Sequence, residues 1–487
     1  MTLIGWLCGA AVAAPSPFVE PEATTLWLAE DAGGVNFGWA VADVADVDGD
    51  GVRDVVTGDP FGSNYGGVTV LLSGATGTER FRTIGAKGSV EGYAVSGIGD
   101  QDGDGVADYL SGAPGNDTVL VYSGADGSVV RTLGSTFDES FGASVAEAGD
   151  IDGDGVSDVV VGATRADLGG LDAGRCYVFS GADGSLLWVV EGEAEGLLLG
   201  SGAGTLGDVT GDGVPDVAVG AAGAPGGRIY VLDGIDGSVV HRLEDPVGGG
   251  SLGTFFVSGV GDLDCDGAPD VFGGDYAEGT LGYGTGRFTV WSGATGAELF
   301  VVSGAAAGEG LGTGRYAGDV DGDGVPDLAV GSWTSSAGAA QAGRVGVYSG
   351  VDGAVLRTVT STTAGENFGF DTIGLGDVDG DGEIDLLVSA ATANRVYLVG
   401  TAAATTPTTG TGTTGTTGTT GTTGTTGTTG TTPADTGDGG DDDGGCGCAT
   451  GGLGGPWLLL ALPILARRRR PLGSRSGADP APPHRSN

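Results

Sequence analysis

Lysine is almost missing from this sequence: Lys87 is the only one, and histidine occurs only as His241 and His484. Chemistry that turns on an imidazole therefore has one candidate within the body of the chain. The 64 acidic residues outnumber the 20 basic ones, giving a formal charge of −44. A field of that sign excludes nucleic acid and anionic lipid as partners. Cysteine is sparse and scattered, which excludes a disulfide framework. Cys8 lies in the N-terminal apolar stretch, Cys446 and Cys448 lie near the C-terminus, and Cys176 and Cys265 stand alone in the body and read as small buried thiols. Apolar residues show no 3.6-residue period, so a helical architecture is excluded. No apolar run reaches the ~20 residues of a stable spanning helix.

Glycine, in contrast, is abundant, at 105 of 487 residues. No Gly-X-Y period accompanies it, so the chain is not collagen-like. Much of it belongs to an acidic nonapeptide. DVDGDGVRD begins at Asp46, followed by DQDGDGVAD at Asp100, DIDGDGVSD at Asp150 and DVTGDGVPD at Asp208. DLDCDGAPD at Asp262, DVDGDGVPD at Asp319 and DVDGDGEID at Asp377 complete the series, at spacings of 50 to 58 residues. Repetition at that period signals a solenoid or a propeller.

Each unit holds four short strand patterns rich in Val, Ile, Leu and aromatics, as in FGWAVADVA (37–45), DVVTGDP (54–60), GGVTVLLSG (66–74) and ERFRTIG (79–85). Radial repetition of four-stranded sheets is a β-propeller. The seventh unit stops after NRVYLVG (394–400) without a fourth strand, whereas an orphan segment, TTLWLAEDAGGVNFG (24–38), precedes the first. Thr24 to Glu30 is therefore expected to complete the last blade and remove two open edges. The fold expected is an all-β, seven-bladed propeller over residues 24–401, closed by its N-terminal strand and followed by a disordered Thr/Gly tail.

The alternation of carboxylates at loop positions 1, 3 and 5 suits calcium, which takes six to eight hard oxygens. Glycine at position 6 permits the tight turn, position 7 offers a backbone carbonyl, and Asp at position 9 closes the cage. The ligands so assigned are Asp46, Asp48, Asp50, Val52 and Asp54 in the first loop, and Asp100, Asp102, Asp104, Val106 and Asp108 in the second. The third has Asp150, Asp152, Asp154, Val156 and Asp158; the fourth has Asp208, Thr210, Asp212, Val214 and Asp216. Asp262, Asp264, Asp266, Ala268 and Asp270 form the fifth, and Asp319, Asp321, Asp323, Val325 and Asp327 the sixth. Asp377, Asp379, Asp381, Glu383 and Asp385 form the seventh, so up to seven calcium ions are expected. Thr210 replaces a carboxylate, which predicts a weaker fourth site; Cys265 falls at position 4, which is not a ligand.

The units resemble FG-GAP repeats, the kind found in the integrin alpha-subunit head and in bacterial surface proteins. The FG stands as Phe37-Gly38, Phe141-Gly142 and Phe368-Gly369, becomes Leu-Gly at Leu199, Leu252 and Leu311, and is inverted around Tyr93. The GAP is complete at Gly112-Ala113-Pro114. That resemblance implies that the aspartate loops join the first two strands of each blade, opposite the ligand surface. It also implies a monomeric propeller acting in adhesion or in binding an extracellular protein or polysaccharide. Long connections between second and third strands are the candidate recognition loops, with Phe61, Tyr65, Tyr276, Tyr283 and Trp333 as exposed aromatics. A glycan lyase or hydrolase and a passive coat component are the competing readings. The one body histidine, His241, stands in a strand pattern where other units carry Arg or Trp and reads as structural, so the protein is not expected to be an enzyme.

At the termini, residues 1–14 have the apolar run and small residues of a secretory signal. Residues 402–445 form a Thr/Gly-rich and acidic linker. Residues 446–470 combine CGC, the apolar PWLLLALPILA and RRRR. That combination resembles a MYXO-CTERM sorting tail, which implies processing at Cys446 or Cys448 and display at the outer membrane of a Gram-negative bacterium. Residues 471–487 form a trailing disordered segment.

Overall fold

Val, Ile and Leu alternate with Gly-containing turns in every unit, and in the computed structural model each such run is a strand. Residues 16–245 and 250–401 are described. The expected signal, linker, sorting segment and trailing tail lie outside them, apart from the chain's exit at Thr401. No helix among the described residues is long and apolar enough to cross a membrane.

The strands form seven four-stranded sheets, six of them in sequence order. The first contains Val41–Val44, Asp54–Asp59, Val68–Leu72 and Glu79–Ile84. The exception is the seventh, where Thr372–Gly376, Asp385–Ala390 and Arg395–Thr401 are joined by Ala23–Glu30 as the outermost strand. Its antiparallel register runs from Ala23 opposite Thr401 to Glu30 opposite Arg395. The two ends of the ring are thus hydrogen-bonded into one blade, as the missing fourth strand requires.

The clasp extends further than the strand pattern implied. Ser16 to Glu20 runs along the outer edge of the sixth blade: Val19 N–H donates to the Thr360 carbonyl at 2.9 Å, and Thr362 N–H to that of Pro17 at 2.9 Å. Phe18 is buried against Phe368 and Tyr397, with ring centroids 5.3 and 6.3 Å away. Inside the ring, Arg315 of blade six donates to Asp371 of blade seven at 2.7 and 3.0 Å, and to the Val41 carbonyl of blade one at 3.1 Å. Three innermost strands are tied at the closure by this fully buried pair. Removing one partner of such a pair typically costs about 3–5 kcal/mol.

Close approach explains the FG and GAP positions. The glycine in the second strand of one blade faces the FG glycine of the next: a Cβ on Gly112 would lie 2.2 Å from the Gly142 carbonyl oxygen, and one on Gly220 1.8 Å from that of Gly253. The preceding residue is buried between blades, as Phe37, Phe141, Leu199, Leu252, Leu311 and Phe368 show. In blade two the place is taken by Glu91, whose buried carboxylate accepts from Tyr122 Oη at 2.7 Å and Thr83 Oγ1 at 3.1 Å.

At the rim, the outer strand of each blade reaches the next blade's hairpin. Trp188 Nε1 donates to the Gly234 carbonyl at 2.7 Å, and His241 Nε2 lies 2.8 Å from that of Gly293. The imidazole is thus engaged in a blade-to-blade contact that Trp and Arg make elsewhere, in accord with the structural reading. Neither Cys176 nor Cys265 is in a disulfide; Cys176 is buried as expected, whereas Cys265 is exposed, because it stands at the tip of its aspartate loop.

Candidate metal centres and ligand face

Each aspartate loop joins the first and second strands of its blade, and its shape is set by its own side chains. At position 1, Asp46 Oδ2 accepts the Gly51 N–H at 2.8 Å, and Asp100 Oδ2 accepts that of Gly105 at 2.7 Å. Position 5 caps position 7, as where Asp50 Oδ1 takes the Val52 N–H at 2.9 Å and Asp381 Oδ1 that of Glu383 at 2.9 Å. Both bonds recur in all seven loops. They curl the chain so that the remaining carboxylate oxygens face inward.

Positions 4 and 6 both take left-handed backbone, with φ of 77° at Gly49 and 93° at Gly51. From the sequence, that need is expected at position 6 alone. Cys265 therefore sits at φ 59°, a conformation that costs a side chain roughly 1–2 kcal/mol.

Position 9 does more than close a cage. Asp54 is fully buried; its Oδ2 accepts the Val47 N–H at 3.0 Å, and its Oδ1 accepts that of Gly74, in the turn after the third strand, at 2.9 Å. The same residue thus anchors the loop to its own blade. Asp385 is the exception at Oδ1, because the chain leaves blade seven before such a turn is made.

Single oxygens of Asp100, Asp102 and Asp108 lie within 4.8 Å of one another, as do those of Asp150, Asp152 and Asp158. Asp262, Asp264 and Asp270 form an equivalent group, and so do Asp319, Asp321 and Asp327. In the first loop the convergent trio is Asp46, Asp48 and Asp50, and Arg80 holds Asp48 at 2.6 Å. Burial pushes the Asp270 carboxyl up to about 7, with the charges of Asp264 and Asp262 adding to the shift. Asp46, in contrast, is held below the usual range by the N–H of Gly51, though its own desolvation opposes this. A set of hard, crowded, partly desolvated carboxylate oxygens fits a calcium ion and suits no soft metal.

The opposite face is built by the connections between second and third strands. Of the five aromatics expected there, Tyr65 and Tyr283 are exposed, at 49% and 95%. The other three are corrected by the structure. Trp333 is buried; Phe61 packs edge-on to Trp39 at 5.0 Å; and Tyr276 packs against Trp333 at 6.5 Å. With Tyr93, Phe255 and Phe370 they form an apolar cluster where the innermost strands begin. Burying these rings releases more free energy than exposing them, and the large residues after the FG glycines supply the surface to bury them against.

The FG-GAP repeat model matches residues 141–179 and 201–232, within blades three and four. Mouse integrin alpha-2 is 31% identical over 96 residues, spanning 18% of this chain and 8% of that protein. The matched stretch is thus a small part of that relative's length. The crystal structure of BBS1N in complex with ARL6DN, soaked with lead, superposes with a TM-score of 0.51 at 12% identity, covering 80% of this chain and 98% of that one. It shares the fold. This chain therefore carries FG-GAP repeats, arranged as a seven-bladed β-propeller.

Proposed function

We propose that the protein is a calcium-stabilised, surface-displayed propeller that binds an extracellular protein or polysaccharide through the face opposite its aspartate loops. One observation carries this reading. Thr401, where the chain leaves the propeller, lies on the aspartate-loop face, and its Oγ1 donates to the Ile384 carbonyl beside Asp385 at 3.1 Å. A tether that continues from there directs the long connections, including 164–174 and 276–286, away from its point of attachment. Binding rather than catalysis is favoured because His241 is engaged with the Gly293 carbonyl and the recurring aspartates of the nonapeptides serve the loops themselves.

The MYXO-CTERM resemblance of 446–470 and the signal-like 1–14 supply the route to the surface in this reading. Calcium is the resident ion, held by the aspartate oxygens, and its chemistry is to neutralise them.

The test immobilises the full chain in calcium and offers panels of matrix proteins and polysaccharides. Saturable binding is expected, weakened about tenfold when 276–286 is replaced by a short Gly-containing turn. Binding that persists after that change, and after equivalent shortening of 164–174, would overturn the assignment of the face.

A further inference from the structure

Blade two departs from its neighbours on the ligand face. Its connection between second and third strands is only residues 114–117, whereas those of blades one and three span 60–67 and 164–174. The short loop leaves a notch of about 370 Å3, walled by the connections at 86–89 and 135–138. Its floor is fixed. Gly115 N–H donates to the Ser89 carbonyl at 2.9 Å, and the Asp117 carboxylate accepts the N–H groups of Glu139 and Phe141 at 3.1 and 3.0 Å.

The walls carry Lys87, the only lysine of the chain, with Asn116, Thr136 and Asp138, all exposed. Phe137 is 63% exposed at one side, and the Arg175 guanidinium lies 5.8 Å from its ring centroid. At the other side, Tyr65 has its carbonyl bonded to the Gly88 N–H at 2.9 Å.

We infer that this notch is a saccharide subsite. The inference rests on the proposed ligand face and names a place and a ligand class within it. Ammonium, amide, hydroxyl and carboxylate groups around a rigid floor match the dense hydroxyls of a sugar. The exposed Phe137 ring offers an apolar surface for its C–H groups. A peptide anchors itself by driving an aromatic or aliphatic side chain into a desolvated pocket, and this notch has none. Asp117, Asp138 and the formal charge of −44 disfavour anionic polymers, so the saccharide is a neutral one.

The experiment uses the full chain in calcium with dextran, yeast mannan and a chitin oligomer as probes, read by affinity electrophoresis and calorimetry. Retention by at least one probe is expected, and Phe137→Ala and Lys87→Ala should each weaken it about tenfold with the melting temperature unchanged. Ile235→Ala, in an exposed hairpin on the opposite, aspartate-loop face, is the control and should bind as the parent does. Saccharide binding that survives both notch substitutions but falls with Tyr283→Ala overturns the notch and leaves the ligand face intact. Failure to bind any of the three probes, with a protein ligand still held through the face, overturns the saccharide class.

Discussion

Trp27 donates its indole N–H to the Gly74 carbonyl at 2.6 Å, so the orphan N-terminal strand is latched to blade one as well as built into blade seven. The ring of Trp27 is buried, and a Cβ on Gly77 would lie 2.5 Å from it. The latch and the sheet register together close the circle. Trp27→Phe is expected to cost about 1–2 kcal/mol, from the lost hydrogen bond and a slightly smaller ring. Trp27→Ala should cost about 3–5 kcal/mol. Urea unfolding monitored at equilibrium checks the pair, and equal stability of both variants and the parent would contradict the latch.

Cys265 occupies a loop position where the other six copies have glycine at φ of 77–81°. Cys265→Gly relieves a left-handed side chain, at some cost in unfolded-state entropy. A net gain of about 0.5–1 kcal/mol is expected, with the calcium content unchanged. Thermal melts of the two proteins in calcium read this directly, and a lower melting temperature for the variant would contradict it.

Glu91 is a buried carboxylate served by hydroxyls. Two other buried glutamates, each two residues before the apolar residue of its blade junction, have guanidinium partners: Arg344 Nη2 approaches Glu309 at 2.6 Å, and Arg395 Nη1 approaches Glu366 at 2.8 Å. Burial pushes the Glu91 carboxyl up, with the Tyr122 hydroxyl the leading opposing influence. A raised folded value means that the neutral form is the one the fold favours. Its contribution is complete below the unfolded value and is lost as pH rises through the folded one. Glu91→Gln should therefore leave stability near pH 4 little changed and raise it relative to the parent at pH 8. Denaturant midpoints at the two pH values give the comparison, and a difference independent of pH would refute the assignment.

The ring and its closure were legible because each rests on a count. Seven nonapeptides gave seven sheets, and one absent strand at the C-terminus matched one surplus strand at the N-terminus. The position of the aspartate loops was legible for the same reason. Less visible were features that depend on a neighbour in space. Phe18 lies outside any repeat, so nothing in the sequence marks it as a plug against Phe368. The double duty of Asp54 depends on Gly74, twenty residues away across the sheet. Phe61, Tyr276 and Trp333 stand in loops, where an aromatic reads as exposed, and only the convergence of the blades shows that they cover one another. The rim contacts could have been found: Trp27, Arg131, Trp188, His241 and Arg357 share a register in their outer strands, and aligning the repeats reveals it.

Calcium content is the most direct test of the account. Crowded carboxylates without a cation repel one another, so each filled site should add about 1–2 kcal/mol of stability at 5 mM calcium if it binds in the ~0.1–1 mM range. Elemental analysis of protein equilibrated in 5 mM calcium, against a matched dialysate, should find five to seven ions per chain, in line with the five aspartate trios named above. EGTA should remove them and lower the melting temperature. A content below one ion per chain, with a melt indifferent to EGTA, would contradict the claim that these loops exist to hold calcium.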